Sequence, residues 1–188
     1  MIMALMGAFL GLISCNKEKI QQFIYAGENS GDYLTYVEID PPAVLNMEYP
    51  STEKTHRIDI DKDGETDLTF TFVGSGTLLG HLAFDMKVTP GKGTEICSGS
   101  EATLAAQLSE NRKIDENLSW ANRVLTMHSY NYTVGEEVKL EGDWIDPGTS
   151  YIGFRKKNKR IYQYGWVEVK MDVTGISWVV SSYAYIHK

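Results

Sequence analysis

Four aspartates crowd into the nine-residue stretch DIDKDGETD: Asp59, Asp61 and Asp63 alternate, Gly64 follows, and Asp67 closes it. Carboxylates this close repel one another, and a bound cation turns that repulsion into binding energy. Alternate spacing and a sharp bend at the glycine converge hard oxygen donors on one ion, and calcium takes six to eight of them. The side chains of Asp59, Asp61, Asp63 and Asp67 with the main-chain carbonyl of Glu65 supply most of such a shell, and water completes it. The stretch reads as a structural calcium loop that staples a hairpin. Magnesium fits less well, because it prefers fewer protein ligands and a stricter octahedron. A solvated acidic hairpin without metal is the competing reading.

Other chemistry-bearing residues are sparser. In YVEID, Glu38 and Asp40 share one face of an expected strand, and a retaining glycosidase needs two carboxyls about 5 Å apart. The pair resembles the E-x-D core of glycosidases with a concanavalin-like sandwich, but Ala43 stands where those enzymes carry a further glutamate. Glycan processing is therefore the alternative function, and exposed charges at a strand end are the plainer explanation. Tyr162, Tyr164 and Trp166 alternate with Val167, Val169 and Met171 across two faces of another strand. If the valine face is buried, the aromatics form an outward row that either stacks on sugar rings or packs beneath a neighbouring loop. Cys97 reads as a buried thiol. The four histidines are too scattered for a local zinc motif, and neither a phosphate loop, a G-x-S-x-G elbow nor a Cys-x-x-Cys pair is present.

The elements that must position these groups are strands. The 188-residue chain is 43% hydrophobic and 23% charged, which suits one globular domain and excludes a disordered polymer. A net charge of −7 excludes nucleic acid as a partner, since phosphate backbones call for a basic face. Two-residue alternation is clearest in HLAFDMKV and DLTFTF and recurs near 33–39, 123–130, 151–155, 162–171 and 176–186. GENSGD, DPPA, GSG, TPGKG, DPGTS and KKNK read as turns between them, and RKKNKR as a hairpin tip. The pattern predicts an all-β fold, an antiparallel β-sandwich or jelly roll. At most one short helix is expected, over SEATLAAQLSENRK, where Ser100 is a fitting N-cap and Leu104 and Leu108 lie four apart.

The first fourteen residues carry no charge and are too short to span a bilayer. They end in Leu12-Ile13-Ser14-Cys15, which resembles the lipobox of bacterial lipoproteins. That resemblance implies a signal peptide over 1–14, a lipidated tether over 15–20 with Cys15 as the attachment point, and a β-sandwich domain over 21–188. The acidic stretch is not an EF-hand, because Phe70 occupies the position of the obligatory glutamate. It resembles instead the strand-flanked D-x-D-x-D-G-x-x-D loops of integrin-type repeats. With YIGFR and YGWVEV further on, the chain is similar to secreted and lipid-anchored bacterial proteins of unknown function. The expectation is a calcium-stabilised, non-catalytic binding or surface-interaction module of a Gram-negative cell envelope. Its partners would be the membrane, through the anchor, and a glycan or an envelope protein; a purely structural envelope role is a further alternative.

Overall fold

A computed structural model of the chain describes residues 22–77 and 80–187. The expected signal peptide (1–14) and the expected lipidated tether (15–20), with Cys15, lie outside the described residues. The strands in chain order are β1 (Ile24–Tyr25), β2 (Leu34–Asn46), β3 (Ser51–Ile58), β4 (Leu68–Thr77), β5 (His81–Pro90), β6 (Thr94–Cys97), β7 (Lys113–Ile114), β8 (Trp120–Ala121), β9 (Leu125–Thr133), β10 (Lys139–Glu141), β11 (Gly148–Asn158), β12 (Ile161–Met171) and β13 (Ser177–Ile186). They form a two-stranded sheet, β1-β7, a five-stranded sheet, β10-β9-β5-β4-β3, and a six-stranded sheet, β2-β13-β12-β11-β6-β8, with antiparallel pairing throughout. The fold is the expected all-β sandwich.

Alternation explains how the layers meet. Phe70, Phe72, Phe84 and Met86 of the smaller sheet face Ile152, Phe154, Val167, Val169 and Val180 of the larger one, all buried in the main core. The opposite face of the larger sheet is covered as well. The short β1–β7 pair and the segment around Leu108 close a second apolar cluster there, containing Ile24, Ile114, Tyr151, Tyr164, Trp166 and Ile186. Both faces of β11 and β12 are therefore buried over their central residues, so these strands lack the polar outer face usual in a half-exposed antiparallel sheet.

Three expectations about elements are corrected. No helix forms over SEATLAAQLSENRK: Ser100 donates its N–H and hydroxyl to Asp143 instead of capping a helix (both 2.6 Å). Leu104 and Leu108 are buried as isolated bridge residues opposite Thr126 and Tyr151. Packing against two sheets outweighs a weak local preference. DPPA is no turn, since β2 runs through it. The strand lies at the sheet edge, where a proline breaks no ladder, and its register with β13 shifts between Val180 and Ser182. GSG also lies inside a strand, β4. A Cβ on Gly74 would stand 2.5 Å from Met47 Sδ, so the missing side chain is what lets Met47 fold over the sheet.

Candidate functional site

The acidic stretch is the loop of the β3–β4 hairpin, entered and left through the Ile58–Leu68 pair. Its bend is built from its own carboxylates. Asp59 accepts from the N–H groups of Asp63 (3.1 Å) and Gly64 (2.8 Å), and Asp63 accepts from the N–H of Glu65 (2.8 Å). Lys62 (φ 59°) and Gly64 (φ 92°) turn the chain in the left-handed region, which a glycine enters at no steric cost.

Asp67 organises the interior side. It is 1% exposed, and its Oδ2 accepts from the Ile60 N–H (2.8 Å) while Oδ1 accepts from the Thr94 hydroxyl (3.2 Å). Its main-chain carbonyl accepts from Gly91 N–H (2.6 Å). Asp59, Asp61 and Asp67 each bring one carboxylate oxygen within 4.8 Å of the others. Of the five residues expected to ligate calcium, these three converge. Asp63 sits at the rim, and Glu65 is exposed, bonded through its N–H.

A positive charge already serves this cluster. Lys156 reaches from β11 of the opposite sheet, and its Nζ lies 2.7 Å from Asp61, 2.8 Å from Asp67 and 3.4 Å from Asp63. Burial disfavours the ammonium form, but the hydrogen bonds and charges of Asp61 and Asp67 more than offset that and hold the lysine above its ordinary pKa. The Glu65 N–H, and to a lesser degree Lys156, hold Asp63 below the usual carboxylate range. Lys156 was not among the residues singled out in the sequence, where RKKNKR reads as a hairpin tip. Strand parity carried the missing signal: Lys156 lies two and four residues beyond Phe154 and Ile152, and so shares their inward face.

Oxygen donors this close could hold a hard metal ion. They hold the Lys156 ammonium at the same oxygens. A metal ion bound here would compete with that ammonium for Asp61 and Asp67.

The aromatic row does not form an open platform. Tyr162, Tyr164 and Trp166 do point away from the main core, but Trp166 is 1% and Tyr164 6% exposed beneath the covering layer. Trp166 donates its indole N–H to the Glu28 carbonyl (3.1 Å) and meets Tyr151 edge-on. A row long enough to read as a platform is also apolar enough to be worth covering. Tyr162 alone of the three remains half-exposed. Arg155 lies with its guanidinium 4.1 Å from the Tyr162 ring and 4.9 Å from Trp120, and it pairs with Glu95. Beside Tyr162 is a depression of about 360 Å³ bounded by Phe23, Asp115, Asn117, Arg160, Tyr162 and Tyr164.

Glu38 and Asp40 are exposed on edge strand β2, and among the described residues Glu38 bonds only the hydroxyl of Tyr36 (3.5 Å). Cys97 is a free, buried thiol whose pKa burial pushes up to about 11, which leaves it a poor nucleophile at neutral pH. No protein-family model, curated protein or solved structure matches this chain.

Proposed function

We propose that this chain is an exported, lipid-anchored binding module of the Gram-negative cell envelope. In this reading it is a non-catalytic β-sandwich that takes carbohydrate beside Tyr162 and calcium as a structural ion at the β3–β4 loop. The observation that carries the reading is the depression at Tyr162. There a half-exposed ring adjoins carboxylate, amide and guanidinium groups from Asp115, Asn117 and Arg160, the mix of flat apolar surface and fixed polar atoms that a sugar ring matches. Asp115 is held in place by its ion pair with Lys113 (2.8 Å) and by the N–H of Asn117 (2.9 Å). Export and anchoring are supported by the apolar leader ending in LISC.

The test is a glycan array probed with the full-length protein in detergent. Binding that is lost in Tyr162→Ala and retained in Val173→Ala, a distant exposed control, supports the reading. Absence of binding to every glycan removes it.

A further inference from the structure

Tyr162 borders two depressions. The second, of about 440 Å³, lies against the β5–β6 turn and is bounded by Lys92, Gly93, Glu95, Asn122, Lys157 and Tyr162. The β11–β12 hairpin is fastened to that turn by the bond from the Lys157 N–H to the Gly93 carbonyl (2.9 Å). Arg155 beneath Tyr162 is neutralised by Glu95, and Lys113 in the first depression by Asp115. Lys92, Lys157 and Arg160 are exposed, and no ion pair among the described residues involves them. Arg160 borders the first depression and the two lysines the second. On a chain of net charge −7, three unpaired cations around one ring are a local reversal of sign.

We infer that the two depressions form one groove for an acidic oligosaccharide of at least two residues. One sugar stacks at Tyr162, and a carboxylate, sulfate or phosphate substituent faces Lys92 and Lys157. Acidic groups at the groove restrict where that charge can sit. Glu116 and Asp115 border the first depression, and Asp115 is already paired; Glu95 borders the second and is occupied by Arg155. The second depression thus carries the net positive charge, and charge complementarity selects an anionic ligand over a neutral one. This inference rests on the carbohydrate reading above and adds length and charge to it.

The experiment is a glycan array holding neutral, carboxylated, sulfated and phosphorylated oligosaccharides in monomer to hexamer series, followed by titration of the best ligand. The full-length protein should bind acidic oligomers and not their monomers. Its affinity should fall steeply as salt rises from about 50 to about 500 mM. The double variant Lys92→Gln/Lys157→Gln should bind about tenfold more weakly, with a flattened salt dependence. Neutral oligomers bound equally well, or a double variant that binds as the native chain does, would overturn the inference while leaving the carbohydrate reading in place. An array with no bound glycan overturns both.

Discussion

Asp67 and Lys156 face each other across the two sheets, and each explains the other's burial. Asp67 is 1% exposed, and two hydrogen-bond donors and an ammonium meet its carboxylate oxygens, so no polar atom of the pair is buried without a partner. Removing Asp67 leaves Lys156 with Asp61 and Asp63 but takes the acceptor from the Ile60 N–H and the Thr94 hydroxyl, so Asp67→Ala should cost about 1–3 kcal/mol in urea unfolding. Lys156→Met should be destabilising in chelator and should gain more from added calcium than the native chain, because the ion no longer competes with an ammonium. Melting curves with millimolar calcium and with chelator read both effects, and two chains indifferent to calcium would remove the ion from the proposed function. A second residue-scale prediction concerns His128, which is buried against Phe84 and Trp178 and donates from Nδ1 to the Trp144 carbonyl (2.7 Å). Burial lowers its pKa below the ordinary 6.5. The unfolded chain then takes up this proton at higher pH than the folded one, so the stabilisation present above pH 6.5 is lost as pH falls toward the folded value. His56 shifts in the same direction for the same reason. Urea midpoints should drop between pH 7 and 5, and His128→Phe should shrink that drop.

Strand parity places the elements that carry these groups, and turn geometry locks them. The β3–β4 loop and the β5–β6 turn touch so closely that a Cβ on Gly91 would stand 1.9 Å from the Thr66 carbonyl oxygen. Backbone cannot yield as a flexible side chain can, so Gly91→Ala should destabilise by about 1–3 kcal/mol. The same substitution should loosen the acid loop, seen as faster amide exchange at Asp63 and Gly64; unchanged stability would show that the turn shifts freely. Alternation made β4, β5, β9, β11, β12 and β13 legible in the sequence. It missed β3, because STEKTHR has no apolar residue until Ile58. A polar edge strand needs none, and its charges discourage pairing with another chain. Alternation also could not show that proline is tolerated in β2, because edge position is set by the whole sheet.

At the scale of the molecule, the sandwich is a two-sheet core with a third, thinner layer over the outer face of β11 and β12. That layer buries Trp166 and leaves Tyr162 at its margin, and thereby moves the proposed ligand surface from a flat aromatic row to the depressions beside the hairpin. The proposed anchoring is tested on the whole chain: Cys15→Ala should abolish incorporation of labelled palmitate and shift the protein from the membrane fraction to the soluble one. An unchanged distribution would remove the lipid anchor from the proposed function. The all-β class and the crowding of carboxylates at 59–67 could be read from the sequence, because both depend on neighbours within a few positions along the chain. Which cation answers that crowding, and which aromatic stays in contact with water, depends on segments about 90 residues or more distant, Lys156 reaching Asp61 and Asp67 and Glu28 accepting from Trp166. Local periodicity carries the face a side chain takes, whereas the charge or layer that meets that face is decided when distant strands pack.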